Sequence, residues 1–243
     1  MVSNHKGKAM NKILHNKSLF ALILFLFSTS CMTEKGKTTI EIKEGFVGMI
    51  GYGTLMSLQS LEQTIGHKYT DSVYQVHLID YVRGWTYFRP INDPRANSTE
   101  DVKYYGFLLQ NNDTIPFYGM VNLNIESKKK SKINCILYLI THEDLIKCDK
   151  REIGYQKVDV TGKIEGHDIK GGKIYAYEHS PDHRYESSSD GKGYILVKEY
   201  VDFITQACDS IGNNFRTEFD KSTNPPITQI VSYKKIVWKK VRQ

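Results

Sequence analysis

A glycine-containing turn near the start of the chain is the first feature whose residues suit a chemical task. The segment Met49-Ile50-Gly51-Tyr52-Gly53-Thr54-Leu55-Met56 continues an apolar run that begins at Phe46. Such a run is typical of a buried strand, and glycine at its end allows backbone angles that other residues resist. A strand that stops in a tight turn exposes backbone N–H groups, which can hold a carboxylate or stabilise an oxyanion. The alternative interpretation is a plain turn without chemistry.

A single carboxylate, Glu152, is the second candidate. It lies in Cys148-Asp149-Lys150-Arg151-Glu152-Ile153-Gly154-Tyr155, where a short predicted helix ends before a glycine turn and a strand. A carboxylate beside apolar surroundings can have a raised pKa and carry protons, although the neighbouring Arg151 would lower that pKa. The alternative interpretation is a surface charge within a run of salt-bridging residues.

The four cysteines and eight histidines show no metal-binding pattern. If Cys31 is modified, three cysteines remain, at Cys135, Cys148 and Cys208. An odd number at these spacings is a poor basis for a disulfide framework. Cys135 and Cys208 lie in apolar surroundings and are predicted to be small core residues.

The N-terminal 30 residues have the features of an export signal. Lys6, Lys8, Lys12 and Lys17 precede an apolar stretch over 19–27 that is short for a membrane span. The stretch ends in small residues followed by Cys31, as in a bacterial lipoprotein signal in which that cysteine becomes the lipidated first residue. We therefore predict a signal peptide over 1–30, a tether over 31–45 and a folded domain over 46–243. The alternatives are an ordinary secretory signal, which would give a secreted or periplasmic protein, and a short N-terminal anchor.

Removing the predicted signal changes the charge of the protein. The whole chain carries 33 basic and 27 acidic residues, a net charge of +6. Four of the lysines lie in the signal, so 29 basic residues face 27 acidic ones in the remainder, a net charge of +2. This balance argues against nucleic acid as the main partner.

The elements that would position these residues are mostly strands. Strands are predicted over 46–50, 74–81, 84–88, 104–109, 119–125, 133–140, 155–160, 172–177 and within 227–241. Helices are predicted over 58–66, 141–151, 194–211 and 215–219. The nearly continuous apolar run 133–140 is expected in the middle of a sheet. This pattern predicts one α+β domain with a mixed, barrel-like sheet and a few helices.

Several short motifs occur in the order found in the γ-glutamylcyclotransferase family, and the chain resembles that family over about residues 46–222. The matching segments are Tyr52-Gly53-Thr54-Leu55, Leu123-Asn124-Ile125, Leu137-Tyr138-Leu139-Ile140-Thr141 with Glu143-Asp144-Leu145, the segment from Cys148 to Val160, and Tyr200 with Gly212. The chain departs from the family pattern at three places. Thr54 replaces serine, Cys148 replaces leucine, and Ile153 separates Glu152 from the glycine that often follows it directly.

The resemblance implies an enzyme that cyclises a γ-glutamyl group to 5-oxoproline and releases an amine or amino acid. The substrate's own α-amine is the nucleophile, so no metal or cofactor is implied. By resemblance, Glu152 is the catalytic proton carrier. The residues implied to bind the substrate are Tyr52, Gly53, Thr54, Leu55, Tyr155 and Tyr200. Tyr200 follows a long polar loop, and Tyr194 is its rival for the same role.

Three classes of function follow. The first is a γ-glutamylcyclotransferase held at the cell envelope of a bacterium, with a small γ-glutamyl substrate and the membrane, through the lipid anchor, as its partners. The second is a non-catalytic, envelope-anchored binding lipoprotein that uses the same pocket, since activity does not follow from fold. A third, structural or interaction role would be favoured if Glu152 and the Tyr52 turn lay far apart. The sequence leaves the leaving group and the oligomeric state open.

Overall fold

The computed structural model describes residues 37–92, 102–110, 113–179 and 193–242. The predicted signal peptide and Cys31 lie outside these ranges, so both stay predictions. No helix within the described ranges is long and apolar enough to cross a membrane. Residues from 37 onward form one compact unit.

The described residues contain strands and four α-helices. The strands are Thr38–Glu41 (β1), Phe46–Gly51 (β2), Val73–Pro90 (β3), Val102–Gln110 (β4), Asp113–Phe117 (β5), Gly119–Thr141 (β6), Gln156–Asp159 (β7), Ile164–Glu165 (β8), His167–Lys170 (β9), Ile174–Glu178 (β10), Tyr194–Val197 (β11), Thr223–Asn224 (β12), Gln229–Val231 (β13) and Ile236–Arg242 (β14). The helices are Leu58–Ile65 (α1), His142–Arg151 (α2), Lys198–Ile211 (α3) and Asn213–Ser222 (α4).

The main sheet has the strand order β12-β3-β6-β2-β10-β7, with β11 paired to β6. Antiparallel pairs join β6 to β3 and β2, whereas β10 runs parallel to β2. The predicted α+β domain with a mixed sheet is thus confirmed. The sheet is not a closed barrel, because no pairing within the described residues joins its two ends.

The strand β6 is the centre of the sheet because of its composition. Every residue from Ile133 to Ile140 is buried, which is the pattern of a strand covered on both faces. Its neighbour β2 ends at Gly51, opposite Ile136, and α2 begins immediately after β6. Because Thr141 pairs with Phe46, α2 begins beside the start of β2, and it is the last turn of α2 that lies near the end of β2.

The helix predicted from Tyr194 begins only at Lys198. Residues Tyr194–Val197 form β11 instead, which runs parallel to both β6 and β13. The run Tyr-Ile-Leu-Val is apolar and its first three residues are buried, so pairing in the sheet outweighs the helical spacing that continues into α3. The helix α3 then ends before Gly212, as predicted.

The domain also includes part of the predicted tether. Strand β1 lies within residues 31–45 and pairs in parallel with β9. The side chain of Ile40 is fully buried in the main core, and Ile42 is buried with it. This portion of the segment therefore packs with the domain.

Candidate active site

The turn after β2 has a shape that depends on glycine. A 3₁₀ turn, Thr54–Met56, folds back over the end of the strand. A Cβ atom on Gly51 would lie 2.3 Å from the carbonyl oxygen of Leu55, so a larger residue cannot be placed there without moving backbone. The N–H groups of residues 52–55 have no acceptor among the described residues. The turn therefore keeps four backbone donors available to a ligand.

Glu152 is placed by the end of α2. The helix begins at the N-cap Thr141, whose hydroxyl accepts a hydrogen bond from the N–H of Asp144 at 3.1 Å. Glu152 is the C-cap residue, and its N–H donates to the carbonyl of Cys148. Gly154, with φ of 93°, then turns the chain toward β7. The Glu152 side chain is only 16% exposed, which excludes the interpretation of a free surface charge.

The turn and Glu152 line one pocket. Its walls enclose about 330 Å³, counting the space open to solvent. The lining residues are Ile50, Tyr52, Gly53, Thr54, Leu55, Leu123, Glu152, Tyr155, Tyr177 and Tyr200. All seven residues predicted to be catalytic or substrate-binding are among them, although they come from distant parts of the chain.

Hydrogen bonds between the walls hold the tyrosines of the pocket. The backbone of Leu123 joins two of them, because its N–H donates to the Tyr200 hydroxyl at 3.3 Å and its carbonyl accepts from the Tyr155 hydroxyl at 2.8 Å. The Tyr52 hydroxyl donates to the carbonyl of Tyr177 at 2.5 Å. The Tyr177 hydroxyl donates to Asp149 at 2.8 Å. These bonds fix the aromatic walls around Glu152 without using its carboxylate.

Of the two rival tyrosines, Tyr200 lines the pocket. It lies on the first turn of α3 and packs edge-on against Trp85, with ring centroids 5.9 Å apart. Tyr194 is buried in the core on β11 and packs edge-on against Phe88.

Three lining residues were not predicted from the sequence. Ile50, Leu123 and Tyr177 lie in predicted strands, and Leu123 also belongs to one of the motifs that resemble the family, but the sequence assigns none of them to the site. The alternation in β10 places Tyr177 and Tyr175 on the same side of the strand, yet only Tyr177 reaches the pocket. No local signal separates these two residues, because the difference depends on the side chains that pack against each: Lys157 lies over the Tyr175 ring, whereas the Tyr177 hydroxyl donates to Asp149.

The electrostatics of the pocket centre on Glu152. Burial raises the pKa of its carboxyl, and Arg151, whose Nε lies 3.5 Å from Glu152 Oε1, acts in the opposite direction. Burial also raises the pKa of Tyr52, Tyr155 and Tyr200, so these hydroxyls stay protonated near neutral pH. Glu152 carries the one carboxyl among the residues that line the pocket, so it is the lining group suited to accept and release a proton. Within the described ranges, no three His, Cys, Asp or Glu side chains cluster to hold a metal ion.

Comparison with known proteins adds a structural similarity. No family model and no curated protein matches the chain. The chain is similar to the solved structure of a gamma-glutamyl cyclotransferase, with 13% identity, 74% of this chain and 89% of the other covered, and a TM-score of 0.43. It is also similar to an uncharacterised protein from Homo sapiens, with 14% identity, coverage of 75% and 90%, and a TM-score of 0.43. A protein from Arabidopsis thaliana gives 13% identity, coverage of 75% and 88%, and a TM-score of 0.37.

Proposed function

We propose that the protein is a γ-glutamylcyclotransferase-type enzyme that converts a γ-glutamyl compound to 5-oxoproline and a free amine or amino acid. One observation carries the proposal: a buried carboxylate and a turn with four unpaired N–H groups line the same pocket. Intramolecular cyclisation needs these two elements, since the substrate supplies its own nucleophile.

The proposed reaction proceeds in two bond changes. The α-amine of the substrate attacks its γ-carbonyl carbon, forming the ring C–N bond and placing negative charge on the carbonyl oxygen. Glu152 accepts the proton that the attacking nitrogen loses and passes it to the leaving nitrogen as the original amide bond breaks. No water or cofactor enters this balance. The N–H groups of residues 52–55 donate to the developing oxyanion or to the α-carboxylate.

The aromatic walls suit the task of folding the substrate. A γ-glutamyl chain must bend so that its amine meets its own carbonyl, and confining it in that bend removes much of the entropic barrier. Tyr52, Tyr155 and Tyr200 are held by hydrogen bonds to backbone groups rather than by solvent. Their positions are therefore set before substrate enters.

The direct test is release of 5-oxoproline by the purified protein from a panel of γ-glutamyl compounds. The panel contains glutathione, γ-glutamyl amino acids, γ-glutamyl-ε-lysine and γ-glutamyl peptides. We expect turnover of at least one class. Tight binding of such a compound without 5-oxoproline would instead support the non-catalytic binding protein.

The rate should depend on pH through Glu152. The carboxylate must be ionised to accept a proton, and burial raises its pKa above the ordinary value of 4.5. We therefore expect kcat to fall on the acid side at a pH above that of an exposed glutamate. A profile of kcat against pH checks this, and a flat profile down to pH 4.5 would contradict the assignment of Glu152 as the base.

We also propose that the enzyme acts at the bacterial cell envelope, anchored through a lipid on Cys31. The charge pattern, apolar stretch and small residues before Cys31 support this placement. Cys31→Ser in the full chain is expected to abolish labelling by a radioactive fatty acid and to move the protein from the membrane to the soluble fraction. Unchanged membrane fractionation of the Cys31→Ser protein would contradict lipid anchoring and favour a plain N-terminal anchor.

A further inference from the structure

We propose that Arg151 is a positioning residue that ties the Tyr52–Leu55 turn to Glu152, so that the two halves of the pocket keep one geometry. The inference rests on the proposed function, because it assigns Arg151 a role in that reaction. Its side chain leaves the last turn of α2 and is 29% exposed. Its Nη2 donates to Thr54 Oγ1 at 2.9 Å and to Ser60 Oγ at 2.9 Å. One side chain thus connects α2 to the 3₁₀ turn and to α1.

The other nitrogens of Arg151 complete the connection. Nη1 donates to Thr64 Oγ1 at 2.6 Å and to the Ser60 carbonyl at 3.3 Å. Nε lies 3.5 Å from Glu152 Oε1. The guanidinium is planar and rigid, so anchoring its Nη atoms on α1 and on the turn also sets where Nε meets Glu152. A lysine ammonium has one nitrogen in place of the three of the guanidinium, so it cannot contact α1, the turn and Glu152 together.

Arg151 also supplies positive charge at Glu152. The acceptors of its two Nη atoms are hydroxyl and carbonyl oxygens, which are uncharged. The other titratable groups around Glu152 are Cys148 on α2, Tyr52 after β2, Tyr155 before β7, Tyr177 on β10 and Tyr200 on α3. Burial raises the pKa of each of them, to about 12 for Cys148, so they are neutral where the enzyme would work. Arg151 therefore acts against the effect of burial and favours the ionised carboxylate that accepts the proton.

The test compares Arg151→Met with Lys150→Met in the full chain. Lys150 is the exposed neighbour of Arg151 on α2, so both variants remove one positive charge from the same helix end. The pKa of Glu152 is measured without substrate by NMR of protein labelled with ¹³C-glutamate, its signal being identified as the one missing from Glu152→Gln. We expect this pKa to rise in Arg151→Met and to stay at the wild-type value in Lys150→Met. An unchanged pKa in Arg151→Met overturns the inference.

Two further variants separate position from charge. Thr54→Val removes one anchor of the turn without changing charge, and Arg151→Lys keeps the charge but loses the fork. In both we expect KM to rise about tenfold, the effect of losing one charge-assisted hydrogen bond, and in Thr54→Val the pKa of Glu152 should stay close to wild type. Wild-type KM in both variants overturns the positioning role. If Arg151→Met does not fold, Arg151→Lys and Thr54→Val decide the matter.

The NMR titration also keeps this inference separate from the proposed activity. It needs no turnover, so it reports on the link between Arg151 and Glu152 even if no γ-glutamyl compound is cyclised. Absence of 5-oxoproline with a shifted pKa in Arg151→Met would reject the reaction and retain the coupling. Turnover with an unshifted pKa would retain the reaction and reject the coupling.

Discussion

Replacing Glu152 with glutamine is expected to lower kcat for 5-oxoproline release by about 10²–10⁴-fold, the contribution of a positioned acid–base group. The amide keeps the size of the side chain but cannot accept the proton of the attacking amine. The substrate still meets the turn and the aromatic walls, so KM should change little. The measurement is steady-state kinetics on the best γ-glutamyl compound of the panel.

The same substitution should leave the fold intact, and its effect on stability should depend on pH. Burial raises the pKa of Glu152, so the folded state binds its proton more tightly than the unfolded state does. The contribution of this group to stability is therefore largest at acid pH and is lost as pH rises from the ordinary carboxyl pKa through the raised one. Glutamine carries no charge to bury. At neutral pH we expect the melting temperature of Glu152→Gln to be at least that of wild type. At acid pH any increase in melting temperature over wild type should disappear.

Glu218→Gln is a suitable control for this prediction. Glu218 lies on α4, where its carboxylate pairs with Nε2 of His77, and neither residue lines the pocket. Its replacement removes one glutamate charge from the same protein and should leave kcat unchanged. Wild-type kcat in Glu152→Gln would contradict the assignment of Glu152 as the proton carrier.

Replacing Gly51 with alanine is expected to impair both activity and stability. The added Cβ would lie 2.3 Å from the Leu55 carbonyl oxygen and 2.6 Å from its carbonyl carbon, so the 3₁₀ turn must shift. Overpacking of this kind costs roughly 1–3 kcal/mol in free energy of unfolding. A displacement of about 1 Å at a catalytic group can cost on the order of 100-fold in rate. Thermal melting and kcat/KM measure the two effects.

Gly162→Ala is the matched control for the Gly51 variant. Gly162 lies in a 3₁₀ turn, Thr161–Lys163, and a Cβ there would meet no heavy atom within 4 Å. The same chemical change should therefore leave melting temperature and activity near wild type. Equal behaviour of the two variants would show that the close approach at Gly51 does not set the shape of the turn.

Gly51 and Glu152 could be recognised in the sequence because each carries a local signal. An apolar run that ends in glycine predicts a strand and a turn, and Gly154 soon after a short polar helix predicts where the helix stops. Those signals identified the turn after β2 and the carboxylate at the end of α2, and the resemblance to a known family indicated that the two belong to one candidate site. The exposure of Glu152 was not predictable, because a run of charged residues is compatible with either a solvated or a buried carboxylate.

Tyr194 and Tyr177 show where local pattern was insufficient. The helical spacing of apolar residues continues smoothly from Tyr194 into α3, yet Tyr194–Val197 pairs with two other strands. Tyr177 resembles Tyr175 in every local respect, and only its neighbours in space place it in the pocket. In both cases the deciding contacts come from residues far along the chain.

The contacts of Arg151 were likewise not predictable from the sequence. In the sequence it is an opposing charge beside Glu152, and its bonds to Thr54, Ser60 and Thr64 carry no sequence signal. The sequence by itself determined the α+β class, the central strand, the glycine turn and the carboxylate, because these depend on residue type and local spacing. Only the tertiary structure decided that the turn after β2 and the end of α2 face one another, because that depends on how β2, β6 and α2 pack.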